Sequence, residues 1–388
     1  MDWIKKESQK LQDELIELRR VFHADPELGF EEHRTSQKIE QYLQELGLET
    51  KRVAKTGIVA LVTGKRSSPV LMLRADIDAL PIQEENSVTY ASKNPGVMHA
   101  CGHDAHMAML LGAAKILVRN KSQINGTIKL VFQPDEENAG ALPMIKEGVL
   151  DNPKVDAAVG IHIWTPLPSG TIGISSGGVM SGLDIFKIRV KGYGGHSGYP
   201  ETAVDPVIAA SDIVVTSQRI QTREISSMKP MTMVFGQVHG GTKANIIPDE
   251  VVLEGSIRTL YDDSDDPPIK RLESLAKSVA KTHGCECEVS WIRENIPLIN
   301  DKKMSDHMKA IAMEVVGESD VMPYRSMASE DFSEFAKRLP GVFLFLGTGS
   351  KEKETHYPHH NPRFNIDESV LPLGVELFVR GSLKYLDI

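Results

Sequence analysis

Three short apolar runs in this sequence each end in side chains that can bind a metal ion or exchange a proton. The runs VLMLRAD, IKLVFQPDEE and AAVGIH deliver, in order, Asp76 with Asp78, Glu136 with Glu137, and His162. Short runs rich in branched residues, separated by helical patterns, are typical of buried parallel strands. Ligands of open α/β sheets bind at the carboxyl ends of the strands, so this feature predicts an α/β fold with a polar site at one sheet edge.

Strand and helix patterns alternate over residues 1–182, and helix, strand and helix patterns return over residues 296–388. This alternation predicts a mixed, largely parallel sheet flanked by helices. A chain of 388 residues is also too long for one ordinary core, so two domains are expected. We therefore expect residues 1–182 and 296–388 to form one discontinuous domain.

The segment between these parts, residues 183–295, has a different pattern. Its strands and helices follow the order βαββαβ, which is the order of the ferredoxin-like unit. The sequence therefore predicts an inserted α+β domain at 183–295.

Composition excludes several classes of protein. The net charge of −9 argues against nucleic acid as the main partner, since phosphates favour a basic surface. No apolar run has spanning length, and the first twenty residues form a charged amphipathic pattern, so we expect a cytoplasmic protein without membrane contact. Three cysteines do not indicate a disulfide framework, and Cys285 and Cys287 are interpreted as buried strand thiols.

The stretch MHACGHDAHMAML places Cys101 and His103 just before a helical pattern. His106, three residues after His103, is expected on the helix face or behind the site. Cysteine beside histidine suits either a metal site or a thiol nucleophile, and this stretch alone does not decide between them.

A later loop, HYPHHNPRF, follows the apolar run VFLFLGTG and brings His356, His359 and His360 to the expected rim. Thiolate, imidazole and carboxylate ligands suit zinc, and sites richer in carboxylate suit manganese. Adjacent side chains at a strand end diverge, so one of Glu136 and Glu137 can bind metal while the other faces a nucleophilic water.

Seven motifs together resemble a known group of amidohydrolases. They are LRADIDALPIQE, MHACGHDAHMAMLLGAA, FQPDEE, KGYGGHSGYP, ANIIPDEVVLEGSIRT, SEDFS and HHNPRFNIDE, and they span nearly the whole chain. The group is metallopeptidase-like and includes bacterial aminoacylases, hippurate hydrolase, N-acetyldiaminopimelate deacetylase and the plant auxin-conjugate hydrolases.

This resemblance implies a dinuclear metal site. It implies two divalent ions per subunit, zinc or manganese, with cobalt or nickel as further candidates. Glu136 matches the general base, and Asp78 or Asp76 matches the acid that orients a ligand or the site. The implied ligands, with Cys101 bridging, are Cys101, His103, Glu137, His162 and His360.

For the inserted domain, the resemblance implies a lid and dimerisation role in a homodimer or homotetramer. His196 would reach the site of a neighbouring subunit and donate to the developing oxyanion. Asn245 and Arg258 match positions that hold a substrate carboxylate. The chain departs from the group at Asp135, where alanine is common, and at 138–141, where a glycine-rich run is common.

The expected activity is therefore hydrolysis of the amide bond of N-acyl-L-amino acids. The first alternative is a dipeptidase or carboxypeptidase with the same site. The others are an inactive metal-binding protein and a thiol hydrolase that uses Cys101.

Overall fold

The computed structural model describes residues 2–387. Within that range no helix combines the length and apolar content needed to cross a membrane. The strands are β1 Thr50–Val53, β2 Gly57–Thr63, β3 Val70–Asp76, β4 Thr127–Gln133, β5 Ala157–Pro168, β6 Ile172–Gly173, β7 Gly177–Met180, β8 Gly182–Lys191, β9 Gly195–His196, β10 Met231–Gly240, β11 Ile246–Ile247, β12 Glu250–Thr259, β13 Glu286–Asn295, β14 Leu298–Asn300, β15 Val321–Met322 and β16 Gly341–Gly349. The α-helices are α1 Asp2–Lys10, α2 Gln12–His23, α3 His33–Glu45, α4 His103–Arg119, α5 Ala141–Lys146, α6 Pro206–Arg219, α7 Pro268–Thr282, α8 Lys302–Val316, α9 Ser333–Ala336 and α10 Leu371–Leu386.

The described chain divides into two compact units. Unit 1 comprises residues 2–179, 299–325 and 331–387, and unit 2 comprises 180–298 and 326–330. The sequence places the changes of domain at 182/183 and 295/296. The expected return over 296–388 is interrupted, because residues 326–330 bond within unit 2: the Ser181 amide donates to the Ala328 carbonyl at 2.8 Å.

Unit 1 is built on an eight-stranded sheet with the order β1-β2-β4-β3-β5-β16-β6-β15. Strands β4, β3, β5 and β16 run parallel to one another, and antiparallel pairs lie toward both ends of the sheet. Every residue of β3 and β4 is buried, as expected for strands covered on both faces. The predicted α/β fold with a mixed, largely parallel sheet is confirmed.

The ends of these parallel strands meet at one edge of the sheet. Strand β3 ends at Asp76 and β4 at Gln133, next to each other in register. The expectation that a strand also ends at His162 is wrong, because β5 continues to Pro168. Pairing of β5 with β3 stops at Gly160, whereas its pairing with β16 continues. His162 therefore lies at the site because its neighbour β3 stops pairing there, although its own strand continues.

Unit 2 contains a four-stranded antiparallel sheet with the order β10-β12-β8-β13. This is the strand order of a ferredoxin-like βαββαβ unit, so that prediction is confirmed. Alternate residues of β8 are buried, and they pack with α6 and α7 in one apolar cluster. Cys285 is buried just before β13, and the half-buried Cys287 packs against the same cluster.

Glu32, directly before α3, connects this helix to the segment that follows β4. Its carboxylate accepts hydrogen bonds from the Thr56 hydroxyl at 2.6 Å and from the Asp135 amide at 3.0 Å. The side chain is fully buried, and burial raises the pKa of Glu32 from 4.5 to about 7. Near neutral pH the folded protein therefore holds this acid close to its titration point.

We predict that Glu32→Gln changes the pH dependence of stability in the metal-free protein. The folded-state pKa lies above the unfolded one, so the stability associated with the protonated acid is lost as pH rises from about 4.5 to 7. The neutral amide has no such loss, and the Thr56 hydroxyl can rotate to accept from it. The variant should match wild type at pH 5 and exceed it at pH 8 by on the order of 3 kcal/mol, measured by urea unfolding.

Glu27→Gln provides the matched control. Glu27 is also buried and accepts from the Thr35 amide at 2.8 Å, but it lies 3.3 Å from the Arg34 guanidinium. Removing its charge should lower stability at both pH values. Equal destabilisation by Glu32→Gln at pH 5 and pH 8 would show that ionisation of Glu32 does not destabilise the folded protein.

Candidate metal and catalytic site

The turn that carries Cys101 and His103 depends on the glycine between them. Gly102 has a φ of 90°, in the left-handed region, and α4 begins at the next residue. A Cβ atom on Gly102 would lie 2.5 Å from side-chain atoms of Ile163. Only glycine fits this conformation and this contact, so the local backbone holds the thiol and the imidazole near β5.

His103 is oriented by Asp78. Its Nδ1 lies 2.9 Å from the Asp78 carbonyl oxygen and 3.1 Å from Asp78 Oδ1, and both can only accept when the carboxylate is ionised. The proton therefore sits on Nδ1. The Nε2 atom is buried and has no hydrogen-bond partner, so it is the nitrogen that would bind a metal ion after losing its proton.

The charge around His103 also favours a cation. Burial lowers the pKa of His103, but the carboxylates of Asp76, Asp78 and Glu137 outweigh burial and raise it to about 10. The site thus holds more buried negative charge than its own side chains neutralise. A bound divalent ion would relieve this excess.

His162 presents its Nε2 atom in the same way. Its Nδ1 lies 2.6 Å from the Ile163 carbonyl oxygen, which can only accept, so Nδ1 carries the proton. Its Nε2 lies 3.5 Å from Cys101 Sγ. Burial holds the pKa of His162 well below its usual value and keeps the ring in the neutral form that binds metals.

Glu137 and His360 lie close to each other and to Cys101. Glu137 Oε1 lies 3.2 Å from His360 Nε2, and the Glu137 amide donates to Asp78 Oδ2 at 3.1 Å. His360 has a φ of 64°, and its amide donates to the Ala100 carbonyl at 2.8 Å. This backbone contact fixes the histidine loop directly beside Cys101.

The five expected ligands and Glu136 are therefore gathered by the fold. Candidate ligand atoms lie within 4.8 Å of one another in three overlapping groups, two of which share the Cys101 sulfur. Sulfur, imidazole and carboxylate donors of this kind fit zinc and related divalent ions. The groups are Cys101 with His103 and His162, Cys101 with Glu137 and His360, and His103 with Glu136 and Glu137.

A further group of Asp76, His103 and His106 has a different character. His106 Nδ1 lies 2.5 Å from Asp76 Oδ1, and its Nε2 accepts from the Ile163 amide at 2.9 Å. Both ring nitrogens are engaged, so His106 supports β5 from behind and is not available as a ligand. The two candidate acids therefore differ. Asp78 is hydrogen-bonded to His103, an expected ligand, whereas Asp76 is hydrogen-bonded to His106, which is not.

Glu136 is buried in a turn of 3₁₀-helix that follows β4. Its Oε1 accepts from the Asp331 amide at 3.3 Å. Asp331 lies in the SEDFS motif, and the sequence by itself indicates no role for this residue. The missing information was that residues far apart in the chain meet at the Glu136 turn.

The departure at Asp135 is compensated locally. Asp135 Oδ1 accepts from the Asn138 side-chain amide at 2.9 Å, so the two unusual residues pair with each other. The carboxylate also packs against Gly29, where a Cβ atom would lie 1.7 Å from Asp135 Oδ1. Burial raises the pKa of Asp135. The Asp135 carboxylate is therefore held by its own contacts with Asn138 and Gly29, although it lies next to Glu136 in the chain.

The remaining expected site residues belong to unit 2. His196 is exposed and pairs with Ile246 between β9 and β11, and the adjacent Ser197 amide donates to the Asn245 carbonyl at 3.2 Å. His196 and Asn245 therefore lie close together. Arg258 is half-buried and donates to the Met327 carbonyl at 3.0 Å and to the Ser329 hydroxyl at 2.9 Å.

Comparisons with known proteins agree with this fold and site. The model of peptidase family M20/M25/M40 matches residues 72–383. Thermostable carboxypeptidase 2 of Saccharolobus solfataricus is 37% identical over 388 residues, covering 98% of each chain. N-acetylcysteine deacetylase of Bacillus subtilis is 36% identical, covering 96% of this chain and 97% of the relative.

Among solved structures, the Bacillus subtilis YXEP protein, described as a dinuclear metal binding peptidase of the M20 family, superposes with a TM-score of 0.85. It is 32% identical, and the alignment covers 97% of this chain and 99% of that one. The predicted resemblance to the amidohydrolase group and the predicted enzyme class, a metal-dependent amidohydrolase, are confirmed. The chain belongs to peptidase family M20/M25/M40.

Proposed function

We propose that this enzyme hydrolyses the amide bond of N-acyl-L-amino acids and releases a carboxylate and a free amino acid. The observation that carries the proposal is the position of Glu136. Its carboxylate is buried, and one of its oxygens lies within 4.8 Å of ligand atoms of His103 and Glu137, yet it is not among the five expected ligands. A relative of similar length is named N-acetylcysteine deacetylase, which supports an N-acyl amino acid as substrate.

The donor set supports two divalent ions per subunit, zinc or manganese, with cobalt or nickel as alternatives. When bound, such ions supply Lewis acidity that polarises an acyl carbonyl and acidifies a water molecule. The residues that would hold them are Cys101, His103, Glu137, His162 and His360.

Glu136 performs the proton transfers in this proposal. Its carboxylate removes a proton from the water that attacks the acyl carbon, so a carbon–oxygen bond forms. The carbon–nitrogen bond then breaks, and Glu136 delivers the proton to the departing amine nitrogen. Amide hydrolysis requires this second transfer because an unprotonated amine is a poor leaving group.

We propose further that unit 2 acts as a lid and dimerisation domain and supplies three polar groups. His196, from the partner subunit of a homodimer or homotetramer, donates to the oxyanion, and Asn245 with Arg258 binds the substrate carboxylate. A guanidinium is well suited to a carboxylate, and the hydrogen bonds of Arg258 described above go to neutral oxygens. Cys101, Cys285 and Cys287 form no disulfide with one another, which suits the cytoplasm proposed for the enzyme.

One comparison favours a second candidate function. Thermostable carboxypeptidase 2, at 37% identity, has a name that denotes cleavage of a peptide. The same site can serve both reactions, since an N-acyl amino acid and a peptide both present an amide beside a carboxylate. The two functions therefore differ only in the group accepted on the acyl side.

Replacing the two adjacent glutamates should separate proton transfer from metal binding. Glu136→Gln should keep the wild-type metal content and lower kcat by about 10²- to 10⁴-fold, because the ligands remain and the base is lost. Glu137→Gln, the matched control, should lose metal as well as activity. Elemental analysis and steady-state kinetics measure both. Wild-type kcat in Glu136→Gln would refute the assigned role.

Metal removal should abolish activity. After dialysis against a chelator, turnover should vanish and return with added manganese or zinc. A thiol hydrolase using Cys101 would stay active without metal, whereas Cys101→Ser should lower the metal content if the sulfur is a ligand.

A panel of substrates should identify the acyl group. Acetyl and benzoyl derivatives of one amino acid should be cleaved faster than dipeptides with the same carboxyl-terminal residue; preference for dipeptides would establish the second candidate.

Mixed oligomers should test the role of His196. His196→Ala should lower kcat with unchanged metal content. Mixing His196→Ala and Glu136→Gln subunits should raise activity above that of either variant alone, because each mixed dimer then contains one site with both groups intact. Activity no higher than the sum of the separate variants would contradict donation across subunits.

A further inference from the structure

The loop of residues 134–140, between β4 and α5, carries Glu136 and Glu137 in an unusual backbone conformation. Asp135 and Ala139 have φ values of 52° and 71°, in the left-handed region. Residues other than glycine rarely adopt this region, and they remain there only when surrounding contacts hold them. Contacts with residues outside the loop, together with the hydrogen bonds inside it, therefore determine where the two glutamates lie.

Three carboxylates supply much of that restraint by accepting backbone amides at the start, middle and end of the segment. Glu32 accepts from Asp135 at 3.0 Å. Asp78 accepts from Glu137 at 3.1 Å. Asp331 accepts from Ala141, the first residue of α5, at 2.8 Å. All three acids are buried, so water competes little for these bonds.

Asp331 differs from the other two because it binds both ends of the loop and the side chain of Glu136. Its carboxylate oxygens lie 2.7 and 2.8 Å from Gln133 Nε2, at the end of β4. Its own amide donates to Glu136 Oε1 at 3.3 Å. One residue thus fixes the segment before the loop, the segment after it, and the carboxylate between them.

Arg74 balances the charge of Asp331 and extends the network toward the expected ligands. Its guanidinium donates to Asp331 Oδ1 at 3.0 Å, to Gln133 Oε1 at 2.8 Å and to Asp76 Oδ2 at 2.7 Å. Asp76 in turn bonds to His106, which supports β5 next to His162. The ends of β3 and β4 are therefore joined to the loop by buried, charge-assisted hydrogen bonds.

We propose that Asp331 is a positioning residue that, together with Arg74, sets the location of the Glu136 carboxylate. This inference rests on the proposed function for its kinetic consequence and on geometry for its structural one. Asp331 acts through the loop and does not itself transfer a proton. Misplacement of a reacting group by about 1 Å can cost about 100-fold in rate, so small loop movements matter.

Asp331→Asn is the most informative substitution because it keeps the shape of the side chain. An amide nitrogen in place of Oδ1 would face the donors of Arg74 and Gln133. In place of Oδ2 it would face those of Gln133 and Ala141. Turning the Gln133 amide does not help, because its nitrogen would then face Arg74 Nε. At least one hydrogen bond of the network is lost either way.

The expected kinetic result is a fall in kcat of about 10- to 100-fold with little change in KM. Metal content should equal that of wild type, since none of the five expected ligands is altered. Glu376→Gln is the matched control: Glu376 is a buried acid in α10 that is hydrogen-bonded to Arg380. This control should lower thermal stability without lowering kcat.

A second measurement uses the metal-free protein and does not depend on activity. Amide hydrogen exchange over residues 134–146, followed by mass spectrometry, should be faster in Asp331→Asn than in wild type and unchanged in Glu376→Gln. If Asp331→Asn does not fold, Gln133→Met serves instead. It removes one link to Asp331 without changing charge, and it should show the same effects in smaller measure.

Wild-type kcat and wild-type exchange in the substituted protein would overturn the inference, as would a kcat loss that simply follows metal loss. If the wild-type enzyme cleaves no N-acyl amino acid, the proposed function fails. Exchange over residues 134–146 still decides in that case whether Asp331 fixes the loop, and kinetics on whichever amide is cleaved decide whether the loop sets the rate.

Discussion

Proton positions on three buried histidines determine what the rest of this site can do. His103 and His162 each direct Nδ1 at an oxygen acceptor, and each therefore leaves Nε2 as the nitrogen that can bind a metal ion. His106 has both nitrogens engaged and becomes part of the support. The Asp78 side chain and the backbone of Ile163 make this distinction. They are as necessary to the site as the donor atoms themselves.

Several acids lie close to these histidines. Asp76, Asp78 and Glu136 are buried, Glu137 is half-buried, and the Arg74 guanidinium is paired with Asp76. Buried charge without compensation is costly, and groups in such surroundings normally shift their pKa or bind a counter-ion. The raised pKa of His103 expresses that deficit in the protein alone. Bound divalent cations would neutralise the same excess of negative charge.

The sequence allowed prediction of the fold class and the gathering of the candidate site residues of unit 1, because both follow from local pattern. Apolar runs identify strands, and the polar residues after them identify the functional edge. His162 was misplaced at a strand end because run length does not show that β16 continues to pair with β5. The support network could not be predicted: Arg74 and Asp331 are 257 positions apart, and no periodicity relates them. The residues that line a substrate pocket are likewise far apart in the sequence, so substrate selectivity could not be predicted either.

The left-handed backbone at Gly102 has a consequence for the spacing of the CGH motif. Because α4 starts immediately after this joint, one inserted residue would rotate the imidazole by about 100° around the helix axis, away from the thiol. Any side chain at position 102 would meanwhile push the helix start off Ile163. The left-handed turn at Gly102 therefore fixes the distance from the sulfur to the imidazole. Moving these two donors into another protein would require both this turn and the strand β5 that it packs against.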